Sequence, residues 1–130
     1  GHLVHDYYTT LELLRHYDSP SLGINLDPSH GVLVGNDPSW VVRQLGERIR
    51  HFHLKDAVGR PGMFGETFVF PLLGEGVVPW ADFFVAVDEI DYDGYLTVEF
   101  ESWDYYRQVL GSDPVAAARL SLELLGRLDP

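Results

Sequence analysis

Ile49-Arg50-His51-Phe52-His53-Leu54-Lys55-Asp56 carries the pattern from which the fold can be read. From His51 to Lys55 polar and apolar side chains alternate, and successive side chains of a strand point to opposite faces. The stretch therefore reads as a strand over Ile49 to Lys55, with Phe52 and Leu54 on one face and His51, His53 and Lys55 on the other. A strand buried on both faces of a parallel sheet normally reads as an unbroken apolar run. This one has a polar face that needs a purpose.

Two further stretches share the pattern. In Leu22 to Asp27, Ile24 and Leu26 alternate with Asn25 and Asp27. In Tyr95 to Phe100, Leu96, Val98 and Phe100 alternate with Thr97, Glu99 and the following Glu101. Helical segments lie between and around the strands. Thr9 to about Tyr17 has capping-box spacing between Thr9 and Glu12, with Leu11, Leu14 and Tyr7 as its apolar stripe. Asp37-Pro38 opens a second helix with Trp40, Val41, Gln44 and Leu45 on one face and Gly46 as its stop. Pro79 starts a third, with Phe83, Phe84 and Val87, that fades by Asp91. Asp113-Pro114 caps the last, with Val115, Ala118, Leu122 and Leu125 as the expected buried stripe. The order α-β-α-β-α-β-α predicts an α/β fold of parallel βα units. Residues 57–76 are rich in Gly and Pro and read as a long irregular connection, of the kind used for lids or substrate-binding loops. Phe64, Phe68 and Phe70 within it need something to pack against.

The chain has 130 residues, no cysteine, 45% hydrophobic residues and a formal charge of −11 from 9 Lys+Arg against 20 Asp+Glu. That apolar share can build a core and argues against disorder. Without cysteine there are no disulfides, thiolate metal sites or thiol nucleophiles, which fits a cytoplasmic protein. No apolar run reaches the ~18 residues of a membrane span, and the Gly1-His2 start has no leader-like apolar region. The acidic balance opposes nucleic-acid binding and suits divalent cations. A closed (β/α)8 barrel needs ~250 residues, so 130 residues form at most a partial one.

The polar positions gather at the C-terminal ends of the three strands, where ligands bind in parallel α/β sheets and barrels. They are Asp27, His53 and Glu99 or Glu101. Taken singly, a strand-end aspartate is more often a cap, a strand histidine more often a hydrogen-bonded core residue, and a glutamate often one half of an ion pair. Recurring at the same end of three consecutive strands, they predict a shared divalent cation. One imidazole with carboxylates suits Mn²⁺, Co²⁺, Zn²⁺ or Mg²⁺ without choosing among them.

These residues resemble the C-terminal half of the xylose isomerase-like TIM barrel superfamily, which includes sugar and sugar-phosphate isomerases and epimerases. The matching pieces are Leu26-Asp27-Pro28-Ser29-His30, the Ile49–Asp56 stretch, Leu73-Gly74-Glu75-Gly76 with Pro79-Trp80, and Tyr92-Asp93-Gly94-Tyr95 through Glu101. The resemblance implies a single domain over residues 1–130 made of the sixth to eighth barrel strands with their helices. It implies Asp27, His53 and Glu99 as metal ligands, with Glu99 also a catalytic acid/base. His30, Arg60 and Glu101 would lie at the substrate, Glu101 being the alternative ligand on its strand. Glu75 is expected to position its loop, the alternative being that it faces the substrate. The reaction implied is proton transfer next to a carbonyl through a metal-stabilised enediolate, on a small-molecule sugar or sugar phosphate. The family's first metal-binding glutamate, also its second acid/base group, ends the fifth strand, and Gly1 to Asp6 resembles the loop after that point. A homo-oligomer or a missing N-terminal segment would then complete the site.

Two other readings compete. One is a truncated half-barrel that is not catalytic and packs with itself or a partner. The other, the related apurinic/apyrimidinic endonuclease branch, carries an Asp-x-His before its Gly-Glu-Gly turn. Residues 57–73 contain neither Asp nor His.

Overall fold

The computed structural model describes residues 3–62 and 65–128. Helix α1 (Tyr7–His16) leads into strand β1 (Ile24–Leu26), short helix α2 (Pro28–Leu33) and helix α3 (Pro38–Leu45). A 3-10 turn, Gly46–Arg48, enters strand β2 (Ile49–Leu54). Strands β3 (Val58–Gly62) and β4 (Gly65–Val69) follow, then helix α4 (Trp80–Glu89) and strand β5 (Leu96–Val98). Helices α5 (Trp103–Gln108) and α6 (Pro114–Leu128) close the chain. Strands β1, β2 and β5 form a parallel sheet in the order β1-β2-β5. This is the expected α/β arrangement of parallel βα units, a partial barrel.

The sheet register positions the polar residues. Asn25 pairs with His51, and His53 pairs with Thr97. Two residues further along each pairing, Asp27 comes beside His53 and Glu99 beside Lys55. A Glu99 N–H to Leu54 C=O bond of 3.0 Å carries the ladder past the end of β5.

The apolar side of the sheet holds the core. Phe52 and Leu54 are fully buried, together with Val42, Phe83 and Ala86 from α3 and α4. Aromatic rings meet edge to face, Phe52 with Phe83 at 5.5 Å and with Tyr92 at 4.8 Å between centroids. That geometry favours the ring quadrupoles. Asn25 and Thr97 on the opposite face are exposed.

Several expectations need correction. The first helix starts earlier, because Asp6 and Thr9 make the capping box: Asp6 Oδ1 accepts from Thr9 N at 2.8 Å, and Thr9 Oγ1 accepts from Asp6 N at 3.1 Å. Glu12 takes no part in it. In α3 the inward face is Val41, Val42 and Leu45, while Trp40 is 45% exposed. In α6 Ala117 and Ser121 are buried and Leu125 packs against the core as expected, but Val115 is 56% and Leu122 72% exposed. That helix is apolar on more than one side, so hydrophobicity alone does not select the buried face. The connection over residues 57–76 is not all irregular: β3 and β4 pair as an antiparallel hairpin, Val58 with Val69 through Gly62 with Gly65. Phe64 lies outside the described residues.

Candidate metal centre

Asp27 stands where β1 gives way to α2, and its two oxygens do different work. Oδ1 caps α2, accepting from Ser29 N at 2.9 Å and Ser29 Oγ at 2.6 Å. Oδ2 is buried and has no hydrogen bond. Lys55 Nζ lies 3.2 Å from it, within ion-pair distance but outside hydrogen-bond geometry. A buried carboxylate oxygen needs a charged partner, and in the metal-free site the Lys55 ammonium is beside it. The cap and ligand readings of Asp27 are thus compatible, one for each oxygen.

His53, from the end of β2, faces the same space. Its Nδ1 lies 3.5 Å from Glu99 Oε2, and its Nε2 lies 3.4 Å from Asn25 Nδ2. Ligand atoms of Asp27, His53 and Glu99 all come within 4.8 Å of one another. Of the two glutamates after β5, Glu99 joins this group, while Glu101 turns to Lys55 with Oε2 at 2.9 Å.

Lys55 is the residue that the sequence pattern underweighted. It occupies the same strand face as His51 and His53, and its side chain is only 3% exposed. Nζ donates to Glu99 Oε2 at 2.7 Å and to Glu101 Oε2 at 2.9 Å. It also lies 3.4 Å from His30 Nε2 and 4.4 Å from the centroid of the Phe70 ring. Burial works against its charge, but the hydrogen bond to Glu99, the Asp27 charge and the bond to Glu101 outweigh this and hold its titration above the usual lysine value. The bond from Lys55 in turn holds Glu99 below the usual carboxylate value, with the Lys55 and His53 charges adding to it against some desolvation. Three carboxylates thus surround the Lys55 ammonium.

The remaining candidates lie around this centre. His30 is in α2, with Nε2 3.5 Å from Asp27 Oδ2 and its ring edge-on to Phe70 at 5.6 Å. Arg60 is in β3 with an exposed side chain. The hairpin is tied to the strand ends where Ser102 Oγ donates to the Phe70 carbonyl at 3.0 Å.

Asp56, next to Lys55, faces the other way and is fully buried. Its carboxylate accepts from the backbone N–H groups of Ala57, Gly74, Gly76 and Val78 and from Trp80 Nε1. It therefore organises the Gly-Glu-Gly turn, the part expected of Glu75, whose side chain is exposed. The Asp following Lys55 was visible in the sequence, but nothing local shows that five donors converge on it.

Residues 1–128 match the family described as the xylose isomerase-like TIM barrel. The uncharacterised protein YfiH of Bacillus subtilis (strain 168) is 32% identical over 133 residues, covering 89% of this chain and 40% of YfiH. The 3-dehydroshikimate dehydratase of Bacillus anthracis is 34% identical over 102 residues, covering 75% of this chain and 36% of that protein. The crystal structure of a xylose isomerase domain protein from Planctomyces limnophilus superposes with a TM-score of 0.73 at 32% identity, covering 94% of this chain and 43% of that one. The chain thus spans less than half the length of these relatives. Among the described residues no helix is long and apolar enough to cross a membrane.

Proposed function

The chain belongs to the xylose isomerase-like TIM barrel family, and on that premise we propose that it carries the metal-binding part of a site for proton transfer next to a carbonyl group in a sugar or sugar phosphate. The observation that carries the proposal is the meeting of Asp27, His53 and Glu99 within 4.8 Å at the ends of three neighbouring parallel strands. The donor set fits a divalent cation. Asp27 Oδ2 is a buried acceptor without a hydrogen bond, and three carboxylates share the Lys55 ammonium. In this reading β1, β2 and β5 are the sixth to eighth strands of the barrel.

Asp27, His53 and Glu99 would hold the ion, which when bound supplies Lewis acidity at a substrate carbonyl oxygen. Glu99 is held ionised by Lys55 before the ion binds and would accept a proton from the carbon beside that carbonyl. His30 and Glu101 flank it and would hydrogen-bond substrate hydroxyls. Arg60, on the hairpin, would meet a charged or hydroxylated end of the substrate. Return of the proton to the neighbouring carbon, with the hydroxyl proton passing from one oxygen to the other, gives isomerisation. Return of a proton to the opposite face of the same carbon gives epimerisation and needs a second acid/base group from outside these residues.

A second outcome of the same proton abstraction is loss of a β-hydroxyl as water. The 34% identity to a 3-dehydroshikimate dehydratase favours it. The experiment is deuterium incorporation by mass spectrometry, with Mn²⁺ present, into a panel of ketoses and 3-dehydroshikimate. The account expects exchange or water loss that disappears in Glu99→Gln. Wild-type protein that leaves every substrate unchanged would favour the non-catalytic half-barrel.

A further inference from the structure

Lysine ammonium groups rarely leave water, because burying the charge is costly unless it is paired. Lys55 is buried in the middle of the site, and two of its three carboxylate partners are the proposed metal ligands. Nζ lies 3.2 Å from Asp27 Oδ2 and 2.7 Å from Glu99 Oε2. We infer that Lys55 is a resident counter-cation that competes with the divalent ion for Asp27 and Glu99. The inference rests on the metal site proposed above and deepens it, since it names what occupies these oxygens before the ion arrives.

Two features of the geometry support competition rather than passive support. A divalent ion bonded to Asp27 Oδ2 and Glu99 Oε2 would sit close to an ammonium already in contact with both, and like charges at such separations in a partly buried site repel strongly. The ammonium also has somewhere to go. Glu101 Oε2 lies 2.9 Å away and the face of Phe70 lies 4.4 Å from Nζ, and neither belongs to the three-residue cluster. Moving toward them keeps the lysine paired while it frees two carboxylates. The consequence is a site that is never left as bare buried carboxylates, and that yields to an ion of higher charge rather than to a monovalent one.

The test is calorimetric titration of the wild type, Lys55→Met and Lys55→Arg with Zn²⁺. Lys55→Met removes the charge and keeps most of the volume, so it should bind Zn²⁺ at least about tenfold more tightly than wild type. Lys55→Arg keeps the charge and should stay close to wild type. Equal or weaker Zn²⁺ binding by Lys55→Met would overturn the inference while leaving the metal site standing. No binding by any of the three proteins would overturn both. Should Lys55→Met fail to fold, NMR of the wild type decides. Zn²⁺ should move the Lys55 ε-methylene signals upfield as the ammonium draws over the Phe70 ring, and unchanged signals would reject competition.

Discussion

Trp80 Nε1 donates a 2.9 Å hydrogen bond to Asp56 Oδ2 inside the core. The same carboxylate receives four backbone N–H groups, so one side chain fixes the path from β2 to the start of α4. Removing it strands several buried donors at once. Asp56→Ala should therefore lower unfolding free energy by about 3 kcal/mol or more, measured by urea denaturation. A loss below about 1 kcal/mol, the size of one ordinary hydrogen bond, would contradict the clamp.

Gly76 tests the same clamp from the other side. A Cβ added there would lie 2.0 Å from Asp56 Oδ1, with the Ala57 carbonyl oxygen at 2.7 Å. Neither atom belongs to a flexible side-chain end that can swing away freely. Gly76→Ala should cost about 2 kcal/mol, within the usual range for overpacking, and a neutral effect in the same denaturation experiment would mean that the turn is looser than described.

The Lys55–Glu99 pair sets a pH dependence for the metal-free protein. Glu99 titrates below its ordinary value of 4.5 when folded. Its contribution to stability is then present above 4.5 and lost as pH falls through the lower folded value. Lys55 titrates above its ordinary value of 10.5, so its contribution is present below 10.5 and lost as pH rises through the higher folded value. Chelator-treated wild type should lose more stability than Lys55→Met between pH 5 and the acid limit of folding. Parallel stability curves for the two proteins would rule out the pairing as a source of stability.

The open sides of the sheet make a prediction about assembly. Strands β1 and β5 are the two edges of the three-stranded sheet, and unpaired edges are templates for association. Leu122 and Val115 on α6 and Val109 after α5 are 72%, 56% and 62% exposed. The isolated chain is expected to self-associate in light scattering at micromolar concentration. A monomer with a single cooperative melt would show that the partial barrel is sufficient by itself.

Much of the architecture can be read from the residues, for physical reasons. Asp37-Pro38 and Asp113-Pro114 announce helix starts, and in both the aspartate Oδ1 accepts from two N–H groups of the first turn. The alternation in β2 and β5 sorts core from site. Asp27-Pro28 carries the same helix-start signal, but α2 is only six residues long, too short to show a helical apolar stripe in the sequence. The β3–β4 hairpin hides in a stretch whose Gly and Pro residues read as loop, and pairing between strands is not a local property. Of the site, the convergence of Asp27, His53 and Glu99 follows from strand parity plus parallel register. The choice of Glu99 over Glu101 does not, because both share a strand face and both meet Lys55; what separates them is that Glu99 Oε2 lies 3.5 Å from His53 Nδ1. The role of Lys55 depends on carboxylates 28, 44 and 46 residues away in the chain.

In the proposed site Asp27, His53 and Glu99 together bind one divalent ion. Metal content after exhaustive dialysis, by inductively coupled plasma mass spectrometry on wild type, His53→Ala and Asp27→Ala loaded with Mn²⁺ or Zn²⁺, tests it most directly. Wild type should hold close to one ion per chain, and both variants should lose most of it. Equal metal content in all three proteins, or none in the wild type, would contradict it.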